Sequence, residues 1–585
     1  MDETIYPAAN LHSFLFSNPF HHKSLDTDRY GSSPPLPKIP DSRVFCVDPH
    51  AKVSLTFGRL RSESLRLAQG IHERFGKPEY HSNFGSGSSA GPVVLVQLPN
   101  SAAYPLILLG FIAAGWVVST SNPANTSFEL AHFIELCEPK VIITQPGDLG
   151  EKTVQEACRV ANSDAEILLA DVNQDWEQTL LLSEKSNSER SWTSLLSDKE
   201  FNVPSMTVAE ANSRVAMILW TSGTTGKSKG AMLTHRAIVS GVVMLRIGNP
   251  AYLSHEGLSI GATIVIQRRF DLKDYLSIVA RYGITFLHVV PPVVVAISST
   301  DLVEKPEYSL SSVLGIASAG APLPPELVKR VRDLTGAVTK SVYGMTESGP
   351  ITSFKGNTWD EIQGNSGLPI YPVEISIVPL GGLNAHNSNT SGEIVLRSPA
   401  VMLGYLKNQK ATEETLRSGG LHTGDHGYLD EKGYLRITGR LKELIKYKGF
   451  QVSPTELEAV ISEIPEIKDV TVSSIYSEAQ ATELPMAYVI PRTSDLIRIV
   501  ASQARPQSEA RAHSRMSFAP NDLETLAEQI KQMVENRCIY YKRLRGGVMF
   551  VCELPKSPNG KVVRSALKDL NGVFIDCYAD RKVKL

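Results

Sequence analysis

Short apolar runs rich in β-branched residues recur through the first 440 residues and alternate with segments of helical pattern. The runs read GPVVLVQLP, PKVIITQ, AEILLAD, VAMILW, GATIVIQ and GITFLHVV. They are continuously apolar rather than alternating in polarity, which is typical of parallel strands buried on both faces. The pattern therefore predicts an α/β fold in which parallel-rich sheets are flanked by helices.

The pattern changes near residue 392, where segments of alternating polarity replace the regular succession of strands and helices. In GYLDEKGYLRITG, the turn Asp430–Gly433 separates two alternating runs and predicts a β-hairpin. We expect a large N-terminal domain over residues 1–440, which includes this small β-rich subdomain, and a small, mobile α+β domain over residues 441–585. The polar, Arg- and Ser-rich stretch 491–522 is expected to be a partly mobile excursion from the second domain.

Composition and charge point to small molecules as partners. The chain has 585 residues, of which 42% are apolar, and its 59 basic residues nearly balance its 61 acidic ones. Nothing in this balance favours nucleic acid as a partner. The six cysteines lack a C-x-x-C pair, so neither a zinc site nor a disulfide framework is expected, and a reducing compartment fits. They are Cys46, Cys137, Cys158, Cys538, Cys552 and Cys577.

The most apolar segment, AYPLILLGFIAAGWVV from Ala103 to Val118, is shorter than the roughly 20 residues that a membrane span requires. It predicts a buried core helix, and no transmembrane segment is expected. The N-terminus is acidic and is not followed by the apolar core of a secretory signal. The last three residues, Val583-Lys584-Leu585, resemble the peroxisomal signal S-K-L. The expected location is cytoplasmic or peroxisomal, and the sequence leaves the oligomeric state open.

The stretch TSGTTGKSKG, Thr221 to Gly230, is a candidate phosphate-binding loop. A P-loop requires glycine five positions before Gly226, but Thr221 stands there, so a P-loop ATPase is excluded. The loop directly follows the run VAMILW. At the end of a strand, its glycines allow close approach of the backbone to an anion, and its N–H groups, hydroxyls and the charges of Lys227 and Lys229 favour binding.

Seven further segments accompany this loop: NPANTSFEL, SAGAPLPPEL, YGMTES, GEIVLRSPAVMLGYL, GGLHTGDHGYL, GRLKELIKYKGFQVSPTELE and PKSPNGK. From about Thr56 to Leu567 the chain resembles the acyl-adenylate-forming superfamily, and its wording is most similar to 4-coumarate–CoA ligases and related fungal-type acyl-CoA ligases. The resemblance implies a two-step ligation that uses ATP, Mg²⁺ and coenzyme A. A small carboxylic acid first displaces pyrophosphate to give an acyl-AMP, and the coenzyme A thiol then displaces AMP.

The resemblance also implies roles for residues of the N-terminal domain. The glycine-rich loop would hold the β- and γ-phosphates, and SAGAPL would line one face of the adenine while Tyr343 lies against the ring. Thr346 would reach the α-phosphate, and Glu347 would hold the magnesium ion, a hard cation that prefers carboxylate oxygen. The implied nucleotide-binding residues are Thr221, Ser222, Gly223, Thr224, Thr225, Gly226, Lys227, Lys229, Ser318, Gly320, Ala321, Tyr343 and Gly344.

Further roles fall on the C-terminal third of the chain. Asp425 would accept both ribose hydroxyls, and Arg440 would contact the ribose and phosphate side of AMP. Lys561 would bridge the attacking carboxylate and the α-phosphate. Lys442 would be the hinge about which the small domain turns between the half-reactions. Lys446 and Gln451 match residues of the adenylation arrangement, and Lys448 and Gly449 match the side that meets coenzyme A.

The sequence departs from the family pattern after His235. The segment between His235 and Gly261 is shortened, lacks the expected apolar strand and Phe-His motif, and contains His255 without the expected neighbours. Ser341 and Val342 replace the usual Gln-Gly, which implies a reshaped acyl end of the pocket. Two alternatives to an acyl-CoA ligase therefore stay open. One is an adenylating enzyme that loads a carrier protein, and the other is a catalytically impaired descendant that binds nucleotide or acyl groups.

Overall fold

The computed structural model describes most of the chain, with gaps. The described residues are 8–16, 39–80, 90–172, 190–221, 228–248, 261–320, 323, 325–354, 364–379, 391–448, 450–477, 480, 482–507, 521–538, 540–556 and 562–578. Contacts divide the chain into two compact units. The first comprises Met1–Ser376, Val395–His422 and Gly433–Leu435, and the second Ile377–Ile394, Thr423–Lys432 and Arg436–Leu585. The predicted domain division at 440/441 stays a prediction.

A seven-stranded sheet forms the framework of the first unit. Five consecutive strands, from the third strand to one edge of the sheet, are mutually parallel. The parallel order confirms the prediction from the apolar runs, because these strands are largely buried, as a sheet covered on both faces requires. In spatial order the strands are Gly404–Tyr405, Lys229–Thr234, Val215–Thr221, Val117–Thr120, Val93–Gln97, Val141–Thr144 and Glu166–Leu169. The first two pair antiparallel with their neighbours.

Two smaller sheets complete the strand layers of this unit. One is a parallel sheet of Phe286–Val289, Gly315–Ser318 and Val338–Ser341. The other joins Val53–Thr56, Val44–Asp48 and Ile264–Val265. The run GATIVIQ predicted a buried strand, but the structure gives it only the two residues Ile264–Val265, and Ile264 is 41% exposed. That prediction is wrong in extent, since this strand has one neighbour, Val44–Asp48, instead of two.

Fourteen α-helices lie in the described part of the chain. Their bounds are Leu11–Phe16, Phe57–Phe75, Ala103–Ala113, Ser127–Cys137, Thr153–Val160, Val208–Ser213, His235–Gly248, Leu272–Tyr282, Pro291–Ser298, Pro325–Thr335, Gln409–Thr415, Pro454–Ile461, Ser494–Gln503 and Asn521–Arg537. The apolar segment from Ala103 forms the expected buried helix, which packs so closely on Phe57–Phe75 that a Cβ at Gly110 would lie 2.5 Å from Leu67 Cδ2. Within the described ranges, no helix is both long and apolar enough to cross a membrane.

Antiparallel strands dominate the region that follows residue 340. Two short hairpins pair Gly344–Met345 with Gly349–Pro350 and Thr352–Ser353 with Leu368–Pro369. A five-stranded sheet has the order Glu374–Pro379, Gly392–Arg397, Gly420–Leu429 and Leu416–Arg417, with Leu435–Arg440 paired to Gly420–Leu429. This last pairing confirms the predicted hairpin, whose turn is stabilised because Lys432 N donates to Asp430 Oδ1 at 3.1 Å.

The second unit has its own sheet and its own apolar core. The sheet has the order Ile467–Ser477, Thr482–Pro491, Val548–Phe550, Asn571–Ile575 and Arg505–Pro506, and a separate hairpin pairs Ile445–Tyr447 with Phe450–Val452. The expectation of a mobile excursion over 491–522 is wrong for Ser494–Gln503, which form a helix with Val500 fully buried. Residues 508–520 lie outside the described ranges.

Candidate active site

Two of the motif segments leave the same edge of the three-stranded parallel sheet. Its neighbouring strands end at Ser318 and Ser341, which lie opposite each other, and Val342 N donates to Ser318 O at 2.9 Å. Gly320 has φ +97°, a left-handed conformation that disfavours any residue with a side chain. SAGAPL and YGMTES therefore begin side by side, at the edge where parallel sheets commonly bind ligands. Ala321 lies outside the described residues.

The backbone of Tyr343 is held at the start of YGMTES. Its N–H donates to Thr352 Oγ1 at 3.0 Å, and its carbonyl accepts from Ile351 N at 3.0 Å and from Thr352 N at 3.1 Å. These bonds fix the point at which the chain turns away from the sheet.

The rest of YGMTES is a tight β-hairpin. Gly344–Met345 pairs with Gly349–Pro350, and Thr346 and Glu347 lie in the turn between them. A Cβ at Gly344 would lie 2.9 Å from Gly349 O, so the close approach of the two arms requires a glycine here. The turn places Glu347 in the interior, where the residue is 8% exposed.

The glycine-rich loop connects two antiparallel strands of the main sheet. Thr221, the last residue before the gap in the described chain, lies opposite Lys229. The loop is followed by the strand Lys229–Thr234, whereas a P-loop is followed by a helix, so the topology agrees with the exclusion of a P-loop. Its central residues Ser222, Gly223, Thr224, Thr225, Gly226 and Lys227 lie outside the described residues.

Aromatic side chains support the base of this loop. The rings of Trp220 and Phe133 stack at 4.1 Å between centroids, and Trp220 Nε1 donates to Ser119 Oγ at 3.0 Å. His132 Nε2 donates to the carbonyl of Ser228 at 2.9 Å. His132 and Phe133 belong to the helix that NTSFEL begins. This motif therefore contacts Trp220, before the loop, and Ser228, near its end. NPANTSFEL is one of the segments that carry the family resemblance, but the sequence predicted no role for it.

A charged pair of site residues meets at Tyr405, which sequence reasoning missed. Tyr405 Oη donates to Glu347 Oε1 at 2.7 Å, and Lys229 Nζ lies 4.2 Å from the centroid of the Tyr405 ring. Burial, followed by the negative charge of Glu347, raises the pKa of the Tyr405 hydroxyl, so it stays protonated. The structure thus brings Lys229 and Glu347 together around one aromatic ring. The only sequence signal was the tyrosine of MLGYL within a recognised segment.

In the second unit, Asp425 and Arg440 form an ion pair on neighbouring strands. Arg440 Nε lies 3.3 Å from Asp425 Oδ1, and the side chains are 47% and 11% exposed for Arg440 and Asp425, respectively. Asp425 N donates to Thr423 Oγ1 at 3.0 Å, which fixes the backbone at the carboxylate. These two predicted site residues are therefore brought together by the hairpin of Gly420–Leu429 and Leu435–Arg440.

The predicted hinge residue Lys442 precedes a short hairpin of the second unit, and Lys448, predicted to face coenzyme A, lies in the turn of that hairpin. Lys446 and Gln451 lie opposite each other in it, and Lys446 N donates to Glu483 Oε2 at 2.8 Å. Lys448 is exposed, has φ +45°, and donates its N–H to Thr482 Oγ1 at 2.8 Å. Lys442 lies in the preceding 3₁₀ helix. Gly449 and the side chains of Lys442 and Gln451 lie outside what the structure describes.

Lys561 also lies outside the described residues, but the chain on either side of it is defined. Lys556 and Val562 pair in an antiparallel bridge. Just beyond, Arg564 Nη2 lies 2.8 Å from Glu458 Oε1 and Arg564 Nε lies 3.2 Å from Glu443 Oε2. Arg564 therefore links the chain that follows Lys561 to Glu443, the residue after Lys442.

Comparison with known proteins places this architecture in a family. The profile of the "AMP-binding enzyme" family matches residues 38–406, and that of the "AMP-binding enzyme C-terminal domain" matches residues 456–561. A 4-coumarate–CoA ligase 1 from Petroselinum crispum is 32% identical, over 88% of this chain and 89% of the relative. A 4-coumarate–CoA ligase 2 from Nicotiana tabacum is 29% identical, over 95% and 94%. The chain belongs to the AMP-binding enzyme family.

Solved structures share the fold. MatB from Rhodopseudomonas palustris with bound ATP aligns at a TM-score of 0.72 and 22% identity, covering 96% of this chain and 98% of that one. The anthranilate CoA ligase AuaEII, solved with anthranoyl-AMP, aligns at a TM-score of 0.72 and 19% identity, covering 97% and 98%. The predictions of an α/β fold and of a member of the acyl-adenylate-forming superfamily are confirmed.

Proposed function

We propose that this protein is an ATP-dependent acyl-CoA ligase, an AMP-forming acid–thiol ligase. Its family and the CoA ligases among its relatives support this function. The structural observation that carries the proposal is that Tyr405 contacts both Glu347, a buried carboxylate, and Lys229, at the base of the glycine-rich loop. A carboxylate and an ammonium on one aromatic ring would suit a cation and a phosphate, the two charged parts of a metal-bound nucleoside triphosphate.

The nucleotide would lie across the two sheet edges of the first unit. The loop Thr221–Lys229 holds the β- and γ-phosphates through backbone N–H groups, hydroxyls and lysine charge. Tyr343 and Ser318–Ala321 line the two faces of the adenine, which the shared strand edge makes possible. Thr346, in the hairpin turn beside Glu347, reaches the α-phosphate.

Glu347 suits a magnesium ion. Its Oε1 accepts the hydroxyl of Tyr405, and Oε2 takes no hydrogen bond or ion pair from the described residues. Those residues contain no cluster of three or more His, Cys, Asp or Glu side chains that could enclose a metal. Mg²⁺ commonly binds through one or two carboxylates together with substrate phosphates, so a single carboxylate is compatible with it. When bound, the ion would neutralise phosphate charge.

Asp425 and Arg440, in the second unit, would bind the ribose and phosphate side of AMP. The two oxygens of an aspartate carboxylate, such as that of Asp425, can accept hydrogen bonds from both ribose hydroxyls. Arg440, which is half exposed, can pair with Asp425 and still present donors to the phosphate side of AMP.

In the first half-reaction, an oxygen of the substrate carboxylate attacks the α-phosphorus, and the bond from that phosphorus to pyrophosphate breaks. Lys227 and Lys229 stabilise the charge that develops on pyrophosphate, and Lys561 bridges the carboxylate and the α-phosphate. In the second, the coenzyme A sulfur attacks the acyl carbon, the thiol proton is released, and AMP leaves.

The C-terminal residues divide between these half-reactions. Lys446 and Gln451 serve the adenylation arrangement, and a turn about Lys442 then presents Lys448 and Gly449 to coenzyme A. Lys448, with φ +45°, lies in the turn between the paired strands Ile445–Tyr447 and Phe450–Val452.

The test is acid-dependent release of pyrophosphate from Mg-ATP, with a panel of aromatic and aliphatic acids in the presence of coenzyme A. Release that requires one class of acid, together with its thioester, supports the proposal and names the substrate class. If protein that is folded and binds ATP releases none with any acid, the shortened segment after His235 becomes decisive and the impaired descendant is favoured. Pyrophosphate release without a thioester would favour a carrier protein as acceptor.

A further inference from the structure

Tyr405 touches two residues of the proposed site and has no role in the mechanism described above. It is 5% exposed, its hydroxyl donates to Glu347 Oε1 at 2.7 Å, and the ammonium of Lys229 lies 4.2 Å from its ring centroid. The ring therefore contacts a cation at its face and an anion at its hydroxyl end. Both contacts are favourable, the first because the face of an aromatic ring carries negative potential.

The backbone fixes the position of this ring. Gly404–Tyr405 is the edge strand of the main sheet and pairs with the strand Lys229–Thr234, with Tyr405 opposite Ala231. Tyr405 N donates to Thr412 Oγ1 at 2.9 Å. The tyrosine is thus built onto the strand that emerges from the glycine-rich loop, while Glu347 belongs to the hairpin that follows the other sheet.

The hydroxyl of Tyr405 donates to Glu347. The 2.7 Å distance to Glu347 Oε1 is that of a short, charge-assisted hydrogen bond. Because Oε1 accepts this hydrogen bond, the carboxylate plane is held, and Oε2, which takes no hydrogen bond from the described residues, can face a cation.

The ring also separates two opposite charges. Among the described residues, Lys229 and Glu347 both contact Tyr405 but form no ion pair with each other. Without the neutral ring, the ammonium and the carboxylate would attract each other and could form an ion pair. Neither group would then be available to bind a metal–nucleotide.

We propose that Tyr405 is a positioning residue that orients the Glu347 carboxylate for the nucleotide-bound metal ion and keeps Lys229 from pairing with it. The proposal rests on the proposed function, in particular on the assignment of Glu347 as the metal ligand. It acts on binding of the metal–nucleotide and therefore on the first half-reaction, and it leaves thioester formation from preformed acyl-AMP unaffected.

The decisive variant is Tyr405→Phe, which keeps the ring under Lys229 and removes only the hydroxyl. ATP binding is measured by isothermal titration calorimetry without any acid, at a series of free Mg²⁺ concentrations. Because a hydrogen bond to a charged group is lost, the Mg²⁺ concentration that gives half-maximal ATP affinity should rise about 10-fold or more. Binding of ATP without Mg²⁺ should match the wild type.

The control is Tyr275→Phe. Tyr275 lies in the helix Leu272–Tyr282 and is partly buried against an apolar cluster of the same unit, and its hydroxyl makes no hydrogen bond to a carboxylate of the described residues. The substitution Tyr275→Phe removes the same group, a tyrosine hydroxyl, but breaks no hydrogen bond to a carboxylate of the described residues. A Mg²⁺ dependence of Tyr405→Phe equal to that of Tyr275→Phe would overturn the proposal. Wild-type protein that binds no ATP at any Mg²⁺ concentration would instead refute the proposed function, and this assignment with it.

A stability measurement keeps the proposal falsifiable if Tyr405→Phe folds poorly. The drop in thermal unfolding midpoint caused by Tyr405→Phe is compared in the wild-type and Glu347→Gln backgrounds. Since the hydroxyl acts on the carboxylate charge, the drop should be clearly smaller when Gln occupies position 347. An equal drop in both backgrounds would mean that the hydroxyl acts elsewhere, and it would overturn the proposal.

Discussion

Replacement of Asp425 by asparagine should weaken ATP binding far more than it weakens the fold. Asp425 lies 3.3 Å from Arg440, whose side chain is 47% exposed, so water screens their attraction and the ion pair itself contributes about 1 kcal/mol or less to stability. If the carboxylate instead accepts the ribose hydroxyls, its loss removes charge-assisted hydrogen bonds of about 1.5–3 kcal/mol. The expected rise in the ATP dissociation constant is therefore about 10- to 150-fold.

The assay can isolate the ribose contact itself. Wild-type protein should bind 2′-deoxy-ATP or 3′-deoxy-ATP more weakly than ATP, because each lacks one hydroxyl. Asp425→Asn should lose less affinity with either analogue than with ATP, since one of the two hydroxyls that contact the carboxylate is already gone, and this non-additivity identifies the contact. Both measurements are made by calorimetry in the presence of Mg²⁺.

A matched control lies on the same hairpin. Asp430 pairs with Arg436 at 3.1 Å and belongs to the turn, where no nucleotide contact is proposed. Asp430→Asn should leave ATP binding unchanged while altering stability to a similar degree. The reasoning is refuted if Asp425→Asn binds ATP as the wild type does, or if the losses from the variant and from the deoxy analogues simply add.

Three further predictions concern other parts of the molecule. Lys561→Ala should abolish pyrophosphate release but keep thioester formation from preformed acyl-AMP; equal loss of both would contradict its role. Phe133→Ala removes the stack on Trp220 and should lower the free energy of unfolding by about 3–5 kcal/mol, measured by denaturant titration, and weaken ATP binding as well; an unchanged ATP affinity would show that the stack does not support the loop. Burial lowers the pKa of His235 to about 4, and its Nδ1 accepts from Leu11 N, so the unfolded chain binds the proton more readily and stability should fall by up to roughly 3 kcal/mol as pH drops from about 6.5 to 4. His235→Gln should flatten that part of the pH profile, and an unaltered profile would assign the loss to other groups.

The sequence predicted the elements whose physics is local. Continuous apolar runs identified the buried parallel strands, and the Asp430–Gly433 turn identified its hairpin, because each depends on side chains that are neighbours along the chain. The segment that begins at Ala103 was likewise recognised as a core helix, and a glycine at 110 permits its close packing.

The errors arose where tertiary neighbours decide the structure. GATIVIQ has the composition of a buried strand, but Ile264–Val265 is paired on one side only and stays partly exposed. The overall polarity of the stretch around Ser494–Gln503 predicted a mobile segment. Its apolar positions instead form one side of a helix and bury Val500 in the core of the second unit.

The site shows the same limit. Motif order placed Lys229 and Glu347 in one function, but no periodicity reveals that both contact Tyr405, which lies 58 residues from one of them along the chain. Contacts of this kind depend on how strand Gly404–Tyr405 joins the main sheet, which is a property of the fold.

The most direct test of the central claim is detection of the acyl-adenylate and its consumption. The protein is incubated with Mg-ATP and the preferred acid without coenzyme A, and bound products are identified by mass spectrometry before and after coenzyme A is added. We expect an acyl-AMP that disappears as acyl-CoA and AMP form in equal amounts. ATP consumed without acyl-AMP, or an acyl-AMP that coenzyme A does not convert, would contradict it.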